Sequence, residues 1–408
     1  MRESGSSVIE AIAEHWNGRP VLAVIDLDAL AANVRTLRTL IGPDVRLQAV
    51  VKANAYGHGA VPVARAVLAA GADSLAVATV DEAVQLRTGG VTGELMVLGP
   101  IGRQERARAI GHGLTVVVSD ADFVRGLVAD AQMQGRKEED PVPVHLKIDT
   151  GMRRFGAPPD RAVGIARVIT ESKLLRLDGV MTHFAAADDP EPSSARQQMA
   201  VFDACIEALM AAGLPVPLQH VANSAATLRF PEFHRGQVRA GISLYGLRPD
   251  PGMVLPDPMR PILSVFGRLA RVIDLEPGDT VSYGRTYVAT RRERAGLVPI
   301  GYGDGYPRGL SSQAWMTVGD ERTQVIGRVC MDQTVVRLPN DSEQNPGDVV
   351  RIVGDGQGQA PTLDELAAML GTISYELATG LAPRLPRLYV SRGEVLAVND
   401  LHGFRDLA

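Results

Sequence analysis

After VLAVIDL (21–27), short apolar runs alternate along the chain with amphipathic stretches of helix length. That alternation is the pattern of βα units and a parallel sheet. The strands it predicts are VRLQAVVK (45–52), SLAVATV (74–80), ELMVLG (94–99), LTVVVS (114–119), VPVHLKID (142–149), DGVMTHF (178–184), PLQHVA (217–222) and QVRAGI (237–242). Helical stretches such as ALAANVRTLRTLI and SARQQMAVFDACIEALMAAG lie between them, several opening on an expected cap: Asp28, Asp81 and Asp120. Eight parallel βα units close into a barrel. An open doubly wound sheet is the rival, but it wants a glycine-rich turn after its first strand, and VVKANAYGHGA is not G-x-G-x-x-G. The reading is therefore an α/β fold, a (β/α)8 TIM-type barrel over residues 19–258. From 259 the pattern changes to strands separated by Pro-Gly and Gly-Asp turns, with one helical passage, TLDELAAMLGTISYELATGL. Residues 259–408 read as a mostly antiparallel β domain, into which residues 21–27 are also free to pair. Residues 1–18 are polar, lack a signal peptide's apolar core, and read as a mobile extension with room for a short helix.

Composition narrows the class. At 408 residues, two domains are expected. The chain is 45% hydrophobic and 22% charged with a net charge of −5, which gives no reason to expect nucleic acid or an anionic membrane as partner. No apolar run approaches the roughly 20 residues that span a bilayer. The two cysteines, Cys205 in a helical pattern and Cys330 in GRVCMDQ, make no disulfide framework, so a reducing cytoplasm is the expected location. No metal is expected.

In a barrel of this kind the site lies at the carboxyl ends of the strands. Lys52 ends the first strand, Lys147 lies near the end of the fifth with Arg154 in the loop beyond, and His183 ends the sixth. Asn223 and Ser224 follow the seventh, and Arg239 with Gly241 and Ile242 closes the eighth. Each has a plain alternative. A lysine at a strand end can snorkel to solvent, Ser224 can be an N-cap, His183 a satisfied core histidine, and Lys147 a partner of Asp149. Together, a lysine opposite a serine hydroxyl, an open glycine N–H and an arginine able to face a ring nitrogen point to pyridoxal phosphate.

The runs AVVKANAYGHGA, HLKIDTGMRRFG, THFAAAD, ANSAATLR, RAGISLYGL, VSYGRTY, PIGYGDGYPR, GRVCMDQ and ISYELATGLAPRLPR resemble, in order and over roughly residues 20–392, the motifs of bacterial alanine racemases. The resemblance implies a barrel plus β domain, pyridoxal 5'-phosphate, a head-to-tail homodimer with shared sites, and L-/D-alanine as substrate for peptidoglycan synthesis. It also assigns VLAVIDL to the β domain. It implies that Lys52 carries the cofactor and is the base for the D-enantiomer, and that Tyr283 takes the α-proton of L-alanine. Tyr56, Ser224, Gly241, Ile242 and Tyr375 resemble phosphate ligands, Arg239 the partner of the ring nitrogen, and His183 a neighbour of the ring. Arg154 and the Met331 backbone resemble contacts to the substrate carboxylate, and Lys147 a lysine the family often carries as a carbamate. Cys330 and Asp332 read as shaping the loop that presents Met331.

Racemisation needs one base on each face of the substrate, because a single base returns the proton to the side it came from. A cationic rim of Arg154, Arg239 and Arg308 would oppose ammonium and favour phenolate. Three departures from the family pattern, Arg153 in GMRR, Arg285 in VSYGRTY and Gly303 in GYGDGY, bear on substrate breadth and inhibitor sensitivity. The alternatives are a racemase of broader or serine specificity, a decarboxylase of the same architecture, which would not need Tyr283, and a non-catalytic cofactor carrier, which would be a lone barrel.

Overall fold

In the computed structural model, the eight apolar runs between 45 and 242 are parallel strands that neighbour one another in chain order. They are Arg46–Val50, Ser74–Val77, Leu95–Val97, Thr115–Val118, Val142–Lys147, Leu175–Met181, Leu218–His220 and Gln237–Ala240. The first strand pairs with both the second and the last, with Leu47 opposite Val238. The seventh and eighth are joined by Gly236 N–H to the Gln219 carbonyl at 3.1 Å and Arg239 N–H to the Ala222 carbonyl at 3.0 Å. The expected barrel is thus present and nearly closed. Its strands are buried over most of their length, which explains why they read as continuous β-branched runs rather than as alternating ones.

The structure describes residues 4–16, 18–319, 321–339 and 343–407. The chain divides into two compact units, one formed by Val34–Ala55 with Val63–Leu244, the other by Met1–Asn33, Tyr56–Pro62 and Tyr245–Ala408. The change of unit therefore falls at Tyr245 instead of 259, since the intervening turns carry no strand pattern to mark it.

The second unit holds an eight-stranded sheet ordered Glu321–Gln324, Trp315–Val318, Val349–Val353, Leu263–Arg268, Val21–Asp26, Arg387–Ser391, Glu394–Asp400 and Gly403–Asp406. Val21–Asp26 sits in its middle, antiparallel to Leu263–Arg268 and parallel to Arg387–Ser391. A three-stranded sheet (Arg271–Leu275, Glu293–Val298, Thr334–Leu338) and a two-stranded one (Thr280–Val281, Tyr287–Val288) complete the β structure.

Two details depart from the sequence reading. The extension expected to be mobile is a helix over Ser4–Ala13, and Ile12 and Trp16 are buried in one core with Leu22, Val24, Phe266 and Leu388. Ile9 and Ile12, three apart on the helix, pack it, with Trp16 just beyond its end; residues 1–3 and 17 of that extension lie outside the described residues. Of the three expected caps, only Asp120 accepts the bond of an N-cap, from Phe123 N–H. Asp26 does so for Ala29 N–H. Thr79 does so for Glu82 N–H, while Asp81 pairs with Arg108.

Candidate active site

The barrel's carboxyl rim begins with an unusual turn. After Lys52, residues Ala53, Asn54, Ala55 and Tyr56 all have φ of 51–54°. Each left-handed non-glycine residue costs roughly 1–2 kcal/mol, so four in a row need outside support. Within the barrel unit, Glu82 supplies it. Its carboxylate accepts from Ala53 N–H at 2.6 Å and from Ala78 N–H at 2.7 Å, tying the loop after the first strand to the loop after the second. In the other unit, Arg387, 2% exposed, donates to the carbonyls of Gly57, Leu381 and Leu385. Gly57 has φ 82° and no room for a side chain, since a Cβ there would lie 1.9 Å from the Ala378 carbonyl oxygen. Neither Glu82 nor Arg387 was singled out from sequence. The spacing of Thr79 and Glu82 is a capping box, and that signal alone does not reveal the carboxylate's second duty.

Lys52 is half-buried, and its pKa is lowered first by burial and then by the Arg154 guanidinium, against the raising effect of Glu82. Lys147 lies deeper, 7% exposed, with Nζ 4.8 Å from the centre of the Phe155 ring. Burial, then Arg239 and Arg154, bring its pKa down to about 8. Among the described residues no carboxylate comes within ion-pair distance of it. Asp149, the partner it was weighed against, instead accepts from Gly151 N–H and Arg153 N–H, both at 3.0 Å, and so shapes the GMRR loop. Arg153 and Arg154 are exposed on that loop.

Arg239 is 4% exposed and organises the floor of the rim. Its Nη1 donates to the His220 carbonyl (2.9 Å) and His220 Nδ1 (3.0 Å), and its Nη2 to the carbonyls of Thr182 (2.8 Å) and Val221 (3.1 Å) and to His183 Nδ1 (3.2 Å). Nε takes part in none of these bonds. A guanidinium only donates, so the imidazole nitrogens facing it are acceptors and both rings are neutral. His220 then carries its proton on Nε2 and donates to His145 Nδ1 at 2.7 Å. Burial, reinforced by neighbouring cations, holds His183 and His220 well below the usual histidine range and His145 at about 4. Burial also draws Arg239 down to about 10, still a cation near neutrality. His145 and His220 went unremarked in the sequence. His145 is two residues before Lys147, and that spacing puts both on one face of a strand, a signal that was there to be used.

Ser224 opens a short helix capped by Asn223, which accepts from Ala226 N–H at 3.0 Å. The Ser224 hydroxyl receives Gly241 N–H at 2.8 Å and lies 3.0 Å from the Ser243 hydroxyl. Ser224, Gly241 and Ile242 are thereby brought together as expected, all buried. In the other unit Tyr56 and Tyr375 are also neighbours, with ring centres 6.0 Å apart, and Tyr56 packs 5.0 Å from Tyr245.

Tyr283 stands 72% exposed in the β unit. Ser282 before it has φ 65° and ψ −174°, a region otherwise almost confined to glycine. Its hydroxyl donates to the Arg328 carbonyl at 2.6 Å and lies 3.1 Å from Cys330 Sγ, so VSYG is fastened to GRVCMDQ. Arg285 has φ 51° and donates from Nε to Thr280 Oγ1 at 3.2 Å. Met331 is 52% exposed on a loop held by Tyr302 N–H to the Cys330 carbonyl (3.1 Å) and Gly303 N–H to the Met331 carbonyl (2.8 Å). The N–H of Met331 itself is in no hydrogen bond among the described residues.

This donor set fits a phosphate-bearing aldehyde cofactor. The barrel rim offers an amine of lowered pKa, a buried cluster of the Ser224 and Ser243 hydroxyls with the Gly241 N–H, and a fixed guanidinium whose Nε makes no bond among the described residues. Among the described residues no cluster of metal-ligating side chains occurs, and no helix is long and apolar enough to cross a membrane.

Two family models match the chain: the alanine racemase N-terminal domain over residues 25–249 and the C-terminal domain over 262–389. An alanine racemase of Symbiobacterium thermophilum is 41% identical over 371 residues, 91% of this chain and 97% of that one. One from Desulfovibrio desulfuricans is 39% identical over 91% of this chain and 98% of its own. Among solved structures, the alanine racemase of Bacillus anthracis with bound L-Ala-P superposes with a TM-score of 0.87 at 35% identity, covering 94% of this chain and 98% of that one.

Proposed function

This chain belongs to the alanine racemase family, and from that premise we propose that it interconverts L- and D-alanine by two-base proton transfer at the α-carbon, dependent on pyridoxal phosphate. The observation that carries the proposal is that the chain holds two groups suited to proton transfer on separate supports, Lys52 with its lowered pKa and Tyr283 on an anchored turn. Ser224, Gly241, Ile242, Tyr56 and Tyr375 hold the phosphate, Arg239 meets the ring nitrogen through Nε, and Lys52 carries the cofactor. Bound there, the cofactor withdraws electrons from the substrate's α-carbon and so makes its proton removable.

The residues of the chain do the rest. Arg154 and the Met331 N–H hold the substrate carboxylate. Lys52, poorer in protons than a free lysine, takes the proton of D-alanine, and Tyr283 takes that of L-alanine from the opposite face. His183, neutral and acceptor-bonded to Arg239, keeps a second nitrogen to link towards Tyr283. Arg239 shares its protons with three carbonyls, so it donates to the ring without transferring a proton to it. Lys147, a poorly solvated amine with no carboxylate partner among the described residues, is suited to react with carbon dioxide and serve as a carbamate.

The exposure of Tyr283, Tyr302 and Met331 in one chain supports a homodimer in which a partner covers these residues and receives Tyr283 in its own site. The product supplies peptidoglycan synthesis, and the enzyme works in the cytoplasm. Chiral chromatography of purified enzyme with alanine, serine and a wider amino-acid panel tests the reading, with carbon dioxide release followed in parallel. Fast equilibration of alanine with no gas release is expected; a preference for serine, or decarboxylation, would overturn it.

A further inference from the structure

The loop presenting Met331 is gripped on its carbonyl side by an arrangement that depends on one missing methyl group. Asp304, with no exposed surface, lies between two guanidiniums. Arg19 forms a two-pronged ion pair with it, and Arg384 Nε forms a further ion pair at 2.8 Å from Asp304 Oδ1. Asp304 Oδ2 also accepts Gly301 N–H at 3.0 Å. From this anchored position Arg384 extends Nη2 to the Met331 carbonyl at 3.3 Å and to Asp332 Oδ1 at 2.8 Å. The guanidinium can lie there only because residue 303 is glycine. A Cβ on Gly303 would stand 2.3 Å from Arg384 Nη2, 2.9 Å from its Cζ and 3.0 Å from the Met331 oxygen. The first two atoms are the far end of a flexible side chain, so a methyl there would displace the clamp and leave the backbone nearly in place.

We infer that Gly303 and Arg384 act together as a positioning pair that fixes Met331 from its carbonyl, and that this, with the preceding peptide held through the Cys330 carbonyl by Tyr302 N–H, keeps the Met331 N–H aimed at the carboxylate of the substrate. This rests on the proposed role of the Met331 N–H. Arg384 touches the loop from the carbonyl side, through the Met331 oxygen and Asp332, so it acts through Met331. Its effect belongs to carboxylate binding and falls equally on both enantiomers, because the carboxylate is common to them.

The test uses holoenzyme and propionate, a short carboxylate with no amine, whose binding is read by calorimetry without turnover. Gly303→Ala should raise the propionate Kd and the KM for both L- and D-alanine by about three- to tenfold, with a smaller change in kcat, as expected for one lost hydrogen bond and its ion pair. Arg384→Met should do the same, and the double variant should add no more than about twofold to either, because Gly303 works through Arg384. Unchanged propionate affinity in Gly303→Ala, or effects that multiply in the double variant, would overturn the inference. Should Gly303→Ala fail to fold, Arg384→Met decides alone: a raised Kd upholds the clamp and an unchanged one refutes it. Failure of the underlying functional reading looks different, as parent enzyme that does not bind propionate in competition with alanine.

Discussion

On the barrel rim, Lys52, Lys147, His183 and Arg239 lie buried or half-buried among one another's charges, whereas in the β unit Tyr283 and Met331 stand 72% and 52% exposed. The first group is tuned by what surrounds it: desolvation and neighbouring cations lower the pKa values of the lysines and keep the histidines neutral. The second is tuned by where the backbone holds it. Ser282 occupies a conformation costing about 1–3 kcal/mol, and its hydroxyl ties the tyrosine's turn to the Met331 loop. One region is chemically prepared within a single chain. The other is positioned but exposed, and that exposure is what supports the proposal that a second chain covers Tyr283.

The sharpest break in this comparison comes from removing the two groups proposed as bases. Lys52→Ala and Tyr283→Phe should each lower kcat/KM by about 10²–10⁴-fold in spectropolarimetric assays. Borohydride reduction of the holoenzyme should fix the cofactor on Lys52 by peptide mapping; a label on Lys147 would reverse the roles of the two rim lysines.

Next in size is the organiser of the buried side. Arg239→Met would leave the carbonyls of Thr182, His220 and Val221 without that donor, at about 1–3 kcal/mol for each group left unsatisfied. Thermal melts should show a loss of several degrees. A melt at the parent temperature would mean the arginine is not holding the rim.

A smaller effect tests the electrostatics of Lys147. Its folded pKa of about 8 lies below the usual lysine value, so between about 8 and 10.5 the unfolded chain holds a proton the fold has released. Stability should therefore rise with pH across that window, by up to about 1.4 kcal/mol per unit, and be lowest below it. Lys147→Met, compared with parent in bicarbonate-free buffer, should remove this contribution. Equal slopes in denaturant titrations at pH 8–10 would contradict the burial argument.

The smallest expected change is at Ser282. Ser282→Gly relieves the backbone but loses the bond to the Arg328 carbonyl, so the two roughly cancel and stability should stay within about 1 kcal/mol of parent. Activity should nonetheless fall more steeply from L-alanine in solvent-deuterium exchange, since Tyr283, the base proposed for that enantiomer, loses its anchored turn. Symmetric loss would show that the turn does not position the tyrosine.

Much of this was legible because apolar runs and helix-length spacers report the barrel directly, and strand ends then mark the rim. Lys52, His183, Ser224 and Arg239 were placed on the rim that way. What escaped was set by contacts between residues far apart in sequence. Glu82 looks like a helix cap until its carboxylate is seen to accept Ala53 N–H. Residues 4–16 look like a polar tail until Trp16 is seen in a core with Leu22 and Phe266, its ring covered by the Arg268 guanidinium at 4.4 Å. Left-handed dihedrals at Ala53–Tyr56 leave no trace in KANAY, since nothing in its composition demands them.

The central claim is that the two bases of one site come from two chains. Lys52→Ala and Tyr283→Phe proteins should be mixed in equal amounts, their subunits exchanged, and alanine racemisation measured, with exchange verified by mass spectrometry. In a mixed dimer one site collects both defects, while the other joins an intact Lys52 to the partner's intact Tyr283. Random exchange makes about half the dimers mixed, so activity should recover to roughly a quarter of parent. If both bases belonged to one chain, every site would keep a defect, and verified exchange with no recovery would contradict the account.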